Sequence, residues 1–314
     1  MLNRRTMLAG MGATTVMASV TVAIGQTRHY IPLISKGFSH QFWQAVKLGS
    51  EQAAEEFGVE VTFEGPDNEG QVDRQIDMLA AALAKNPAAV GFAAVDSQAS
   101  IPMLREIDAA GVPIIAFDSG VASDIPVTTC TTDNLASAAL AADKMAEAIG
   151  GAGKVAIISH DQTSVTGIER VDGFVNQVEA KYPDIEIVSI QYGGGDHLIS
   201  TEITKSILTA NPDIKGLFGA NEGSAIGIVN GVTESSSDVV IIGYDSGAAQ
   251  KAAVRSGLMA GAITQNPVGI GYETVKAAVD TINGVTVPKI IDTGFYYYDA
   301  DNMDDADIAA VLYD

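Results

Sequence analysis

A chain of 314 residues has room for about two domains with full-sized cores, and 47% apolar residues exclude a disordered chain. With 18 basic against 39 acidic side chains the net charge is −21, a surface that repels phosphate backbones and argues against nucleic acid as a partner. The single cysteine excludes an intrachain disulfide.

Taken in order, the chain opens on Asn3-Arg4-Arg5-Thr6-Met7-Leu8 and a moderately apolar run rich in Ala, Gly and Thr to about Ala23, with no acid before Glu51. Residues 1–25 therefore read as a signal peptide. The paired arginines resemble a twin-arginine signal, with Asn3 and Met7 standing where Ser/Thr and Phe are usual. Its removal takes Arg4 and Arg5 and no acid, leaving 16 basic against 39 acidic groups. A membrane anchor needs about 18 apolar residues, and this run is shorter and broken by Gly. Cys130 lies far from the signal, so it is no lipid attachment point; Val127-Thr-Thr-Cys-Thr reads as a buried strand in which Cys is a small apolar filler. Together these features imply a bacterial periplasmic protein, not inserted in the membrane after cleavage.

From Tyr30 the pattern alternates. Strands are expected at 30–35, 59–64, 88–95 and 113–117, with helices at 41–57, 72–85 and 101–110 between them. The second half repeats the scheme: strands at 127–131, 154–159, 185–191, 215–220, 239–244 and 258–264, helices at 135–149, 167–181, 200–210, 224–233 and 247–256. A helix over 267–283 and one extended stretch over 289–298 follow. Such βα units imply right-handed crossovers and mostly parallel sheets. The expected fold class is α/β, two Rossmann-like doubly wound lobes joined by three hinge crossings near Thr132-Asp133, Gln265-Asn266 and Asp292-Thr293-Gly294. The lobes would comprise residues 28–132 with 266–292, and 133–265 with 293–314.

Ligands of open α/β sheets bind outside the carboxyl ends of the strands. Here the buried run Val239-Val-Ile-Ile-Gly-Tyr ends on Asp245, and other strands end on Ser35, Asp96, Asp118, His160, Asn221 and Gln265. These ends outline a cleft.

An ordered set of short motifs then resembles the ribose-binding type of monosaccharide-binding periplasmic proteins of bacterial ABC importers. The set is Ser35 with Phe42-Trp43, Phe117-Asp118, Glu169-Arg170-Val-Asp-Gly-Phe174, Ile207-Leu-Thr-Ala-Asn-Pro-Asp213, Gly219-Ala-Asn221-Glu, Gly243-Tyr-Asp245 and Ile263-Thr-Gln265-Asn-Pro. The resemblance implies the type I periplasmic binding protein fold, no enzymatic activity and no cofactor. It implies that Asp118, Arg170, Asn221, Asp245 and Gln265 hydrogen-bond sugar hydroxyls. That chemistry is sound, because hydroxyls donate to carboxylates and accept from guanidinium or amide groups. Phe42 and Trp43 would cover the C–H face of the ring. They diverge by about 100° on a helix, so one is expected in the cleft and the other at its edge or in the core. Departures from the ribose pattern are Ala93-Ala94 after the third strand, Ser119 after Asp118, Tyr192-Gly-Gly-Gly-Asp196, and a first loop carrying Lys36 and His40. Such a rebuilt pocket suits an aldopentose other than ribose, an aldohexose or a deoxyhexose.

Simpler readings stand beside these. Phe42 and Trp43 would serve as core, Arg170 as an ion-pair partner of Glu169 or Asp172, and Asp118 and Asp245 as helix N-caps. For Asp96 and Glu222 a ligand role and a capping role weigh about equally, and contact by His160 and Tyr192 stays open. The four histidines lack metal spacing, and the acidic tail 299–307 lacks the Gly and Glu of an EF-hand, so no metal is expected. The expected ligand set is Ser35, Lys36, His40, Phe42, Trp43, Asp96, Asp118, Arg170, Asn221, Asp245 and Gln265. Expected partners are a monosaccharide and an ABC permease, with the protein a monomer. The alternative is a sugar or autoinducer sensor docking on a chemoreceptor or sensor kinase.

Overall fold

In the computed structural model, which describes residues 28–313, two six-stranded sheets each carry helices on both faces. The signal-peptide reading falls on residues outside that range. The first half runs β1 (Tyr30–Ile34), α1 (Gln41–Phe57), β2 (Glu60–Glu64), α2 (Val72–Leu83), β3 (Val90–Phe92), α3 (Ile101–Ala109), β4 (Ile114–Phe117) and β5 (Thr128–Thr131). The second runs α4 (Asn134–Ile149), β6 (Gly153–Ser159), α5 (Val165–Lys181), β7 (Ile185–Tyr192), α6 (His197–Ala210), β8 (Ile214–Gly219), α7 (Glu222–Glu234), β9 (Val240–Tyr244), α8 (Ala248–Arg255) and β10 (Gly261–Gln265). α9 (Pro267–Ile282), β11 (Ile290–Asp292), β12 (Phe295–Tyr298) and α10 (Ala306–Ala309) complete it.

The sheet orders are β11-β5-β4-β3-β1-β2 and β12-β10-β9-β8-β6-β7, so β1 to β5 of one lobe match β6 to β10 of the other. All pairings in the first sheet are parallel; in the second only β10 with β12 is antiparallel. Strands buried on both faces need continuous apolar runs, and β4 (Ile-Ile-Ala-Phe) and β9 (Val-Ile-Ile-Gly-Tyr) supply them. The chain changes sheet between β5 and α4, again between β10 and α9, which packs on α1, and again between β11 and β12.

The extended stretch expected over 289–298 is thus two strands in different sheets, broken at Gly294 with φ +77°. Helices α5, α6 and α7 start earlier than their apolar periodicity suggested. Ser164, Asp196 and Asn221 cap them upstream, each side chain accepting an N–H of the first turn. Cys130 is fully buried in β5, and burial pushes its thiol up to about 12, as suits an apolar filler. The acidic tail turns back on the second lobe, burying Met303 and Ile308. Tyr313 instead joins the first lobe's core, its ring 6.3 Å from that of Phe42. No helix among the described residues is long and apolar enough to cross a membrane.

Candidate functional site

Between the carboxyl ends of the two sheets lies a narrow polar cavity. Its lining comprises Lys36, His40, Phe42, Trp43, Glu69 and Asp118 from one lobe, and His160, Thr166, Arg170, Asn221, Glu222, Asp245 and Gln265 from the other. A wider surface groove between β7 and α6 has apolar walls, and its one charged lining residue, Glu202, is paired with Lys205. Of these two, the interlobe cavity is the one that gathers charged and amide groups from both lobes.

The second lobe's wall is locked by its own hydrogen bonds. Arg170, 3% exposed, donates from Nε to Asn134 Oδ1 at 2.9 Å and from Nη1 to the Ala220 carbonyl at 3.0 Å, and its guanidinium lies 3.8 Å from the Tyr244 ring centroid. Two of its five N–H groups are used, so the fork retains donors. Despite burial, the Tyr244, Asp245 and Asp118 charges hold its pKa above the ordinary value. Asp245 accepts from the Glu222 N–H at 2.9 Å and from Gln265 Nε2 at 2.8 Å. Gln265 Oε1 in turn accepts from Thr132 Oγ1 at 2.9 Å, so one amide links the first two sheet changes. Asn221 caps α7 through Oδ1, which leaves its NH₂ as a donor.

The first lobe's wall differs. Asp118 follows β4 with φ +55°, as Asp245 follows β9 with φ +81°, a left-handed backbone uncommon for a non-glycine residue. The Asp118 backbone is tied to Cys130 and Thr131, but among the described residues no donor reaches its carboxylate. Burial raises its pKa to about 6, only partly offset by Lys36 and Arg170, with Glu69 and Asp245 adding to the rise. Glu69 is the opposite case. Burial alone would raise it, yet Lys36 Nζ at 3.9 Å and the indole Nε1–H of Trp43 at 2.8 Å help bring it down to about 2.

Lys36 also crosses the cleft, donating to Thr166 Oγ1 at 3.1 Å. That hydroxyl then has its proton free for His160 Nε2, 3.1 Å away. Burial and the Lys36 charge push the His160 pKa down, so its ring is neutral. A neutral ring that accepts at Nε2 carries its proton on Nδ1, a buried atom with no partner among the described residues.

Of the sequence-derived set, Lys36, His40, Phe42, Trp43, Asp118, Arg170, Asn221, Asp245 and Gln265 come together on the cavity. Both aromatics reach it, contrary to the expected division: their rings meet edge to face at 81° and 4.9 Å, so positions 100° apart on α1 share one space. Ser35 does not line it; its hydroxyl donates to the Gly37 carbonyl at 2.8 Å, beneath Gly65. Neither does Asp96, whose Oδ1 accepts the N–H groups of Gln98 and Ala99 at 2.8 Å and so caps the turn into α3. Tyr192 is 38% exposed and stands outside. Glu69 and Thr166 were missed. Glu69 lies in the polar turn 65–70 rather than at a strand end, and Thr166 lies one residue inside α5, so strand-end reasoning reached neither. Among the described residues no group of three or more His, Cys, Asp or Glu side chains is placed to hold a metal ion.

Two doubly wound lobes closing on a polar cavity with aromatic walls define a two-lobed solute-binding protein. Residues 31–286 match the periplasmic binding protein domain, and the chain belongs to that family. It is 26% identical over 258 residues to the ribose import binding protein of Bacillus subtilis, covering 81% of each chain. It is also 26% identical to the D-allose-binding periplasmic protein of Escherichia coli, covering 79% of this chain and 83% of that one. A carbohydrate transporter solute-binding protein from Agrobacterium radiobacter, in complex with D-arabinose, superposes with a TM-score of 0.88 at 33% identity, covering 91% and 99%. An ABC transporter solute-binding protein from Agrobacterium vitis, bound with α-D-tagatopyranose, gives 0.88 at 29% identity, covering 91% and 100%. The family is one of binding components of transport, not of enzymes.

Proposed function

We propose that the protein captures one neutral monosaccharide, an aldopentose, aldohexose or deoxyhexose, in the interlobe cleft and delivers it to an ABC permease. The observation that carries this reading is the composition of the interlobe cavity, with aromatic faces on one side and a guanidinium, amides and carboxylates around them. Two cations, Lys36 and Arg170, already face four carboxylates, Glu69, Asp118, Glu222 and Asp245. A sugar acid or sugar phosphate would add further negative charge to that balance, whereas neutral hydroxyls both donate and accept. The sugars named with the relatives, ribose, allose, arabinose and tagatose, are neutral monosaccharides.

In this reading Asp118, Arg170, Asn221, Asp245 and Gln265 bond hydroxyls, and Phe42 and Trp43 cover the ring. The lobes that close are residues 28–132 with 266–292, and 133–265 with 293–314. The protein works as a monomer after export through the twin-arginine route, cut near Ala23 to Thr27. Docking of the closed form on a chemoreceptor would be a second use of the same state. A thermal-shift panel of aldoses, deoxy sugars, polyols and sugar acids tests the ligand class. A bound sugar at about 100 times its Kd stabilises by roughly 2.7 kcal/mol. A shift with sugar acids alone would overturn the reading. Intact-mass analysis of periplasmic protein tests the cleavage, and a retained Met1 or an acyl mass would contradict it.

A further inference from the structure

Two helices that start at the cleft have no N-cap side chain reaching their first-turn N–H groups. The residue before α1, His40, has the extended backbone of an N-cap but its side chain makes no capping hydrogen bond. The residue before α8 is Gly247, whose own N–H is held from within the helix by Gln250 Oε1 at 3.2 Å but which has no side chain to reach the N–H groups of the first turn. By contrast α4, α5, α6, α7 and α9 are capped by Asp133, Ser164, Asp196, Asn221 and Asn266.

Each of these first turns finds an acceptor in the opposite lobe. Glu222, the first residue of α7, accepts the N–H of Gln41 through Oε1 and that of Phe42 through Oε2, both at 3.1 Å. In return Gln41 Oε1 accepts the N–H of Ala248, the first residue of α8, at 2.8 Å. Tyr313 braces the carboxylate, donating its hydroxyl to Glu222 Oε2 at 3.3 Å while accepting the Ser246 N–H at 3.2 Å. The approach is close enough that a Cβ on Gly247 would stand 2.9 Å from Gln41 Oε1 and 3.1 Å from Glu222 Oε1. Orphan N–H groups of a first turn are held by water when nothing else reaches them. A carboxylate there makes charge-assisted bonds and meets the positive end of the helix dipole. These contacts require the lobes to be closed and require no sugar.

We infer that Glu222 and Gln41 form a reciprocal latch between the lobes. They are positioning residues that hold the closed state and thereby slow sugar release, while contributing no specificity of their own. The inference rests on the reading that the lobes close on a monosaccharide. It also assigns Glu222, whose oxygens are taken up by protein donors, to closure rather than to sugar recognition.

The sole tryptophan, Trp43, lies on the cavity wall and serves as an intrinsic reporter for stopped-flow measurement of kon and koff, using a sugar found in the panel above. Glu222→Ala is expected to raise koff on the order of tenfold or more, and Gln41→Ala about threefold to tenfold, with kon within about twofold. Glu222→Gln, which keeps one acceptor, should fall between wild type and Glu222→Ala. Gln41→Ala touches nothing on the cavity, so a raised koff with unchanged ligand-free melting temperature separates latching from damage to the fold. Wild-type koff in both alanine variants, with tight binding intact, overturns the latch and leaves the binding reading standing. If no monosaccharide shifts the wild-type melting temperature, the sugar reading falls instead. Small-angle scattering of ligand-free protein then judges the latch: a larger radius of gyration in the Glu222→Ala/Gln41→Ala double variant supports it, and an unchanged one overturns it.

Discussion

Asp118 and Asp245 hold equivalent places in the two lobes, yet their carboxylates live differently. Each follows the fourth strand of its lobe on a left-handed backbone, and each is nearly fully buried. Asp245 is gripped by a backbone N–H and by Gln265, whereas among the described residues no donor reaches the Asp118 carboxylate. The second lobe is therefore a pre-built polar wall whose groups lose little freedom when a ligand arrives. The first lobe offers aromatic surface and the Asp118 carboxylate, whose burial is only partly offset by Lys36 and Arg170. A ligand touching both walls favours the closed state by its difference in affinity for open and closed forms. In the proposed reading, Asp118 is the group through which that difference is expressed on the first lobe.

Breaking the pre-built wall is expected to have the largest effect. Arg170→Ala strands the Ala220 carbonyl, leaves Asn134 Oδ1 only the longer bond from Tyr244 Oη at 3.3 Å, and removes the proposed bonds to the ligand, and Asp245→Ala strands the Glu222 N–H and Gln265 Nε2. Each should weaken binding by about a hundredfold or more by titration calorimetry, since buried partners left unsatisfied add to the lost bond. Affinity near wild type in both would remove these residues from the site.

Asp118→Asn should cost less, about ten- to a hundredfold, the range of one or two hydrogen bonds to a charged acceptor. It should also change the pH profile. The buried carboxyl titrates at about 6 without ligand, and donated hydroxyls favour its ionised form, so binding lowers its pKa. Affinity is then full above about pH 6 and falls as the pH drops through it, by up to about tenfold per unit, with a proton released on binding near pH 6. The raised pKa values of Asp245 and Glu222 act in the same direction, while the Arg170 guanidinium stays charged. A wild-type affinity flat between pH 7.5 and 5 would show that ligand does not meet the Asp118 carboxylate.

The same asymmetry explains what the sequence made legible. Buried runs ending on Asp245, Asn221 and Gln265 displayed the second wall directly, because strands of a parallel sheet deliver their last residues to one edge. The element order was equally readable, because α1 closes on Gly58 in a left-handed conformation and α4 on Gly150. The first wall was only partly legible. Glu69 reaches the cavity from a loop, and its role depends on pairing with Lys36 and Trp43, which no local pattern encodes. Tyr313, far along the chain, reaches Phe42 and Glu222 only through the fold. Asp96 and Ser35 illustrate the reverse error: a polar residue at a strand end also serves to satisfy the turn that follows, and both do that here.

A smaller effect should come from Thr166→Val, a near-isosteric change that cuts the link from Lys36 across the cleft to His160. Affinity should fall about threefold to tenfold, the worth of one or two neutral hydrogen bonds. Nitrogen-15 shifts of the imidazole should give protonation at Nδ1 in wild type; protonation at Nε2 there would contradict the relay.

The smallest effect on binding should come from Asp96→Ala, and it tests whether the wall or the strand end defines the site. Its carboxylate holds the Gln98 and Ala99 N–H groups of the turn before α3 and lies off the cavity lining. Removing it frees two backbone donors at a half-exposed position where water takes over much of their bonding. The fold should lose about 1 kcal/mol, as with loss of a helix cap, seen as a modest drop in melting temperature. Sugar affinity should stay within about twofold of wild type. A large loss of affinity with an unchanged melting temperature would mean that the third strand's end belongs to the binding surface after all, and would move the boundary of the first wall outward to include it.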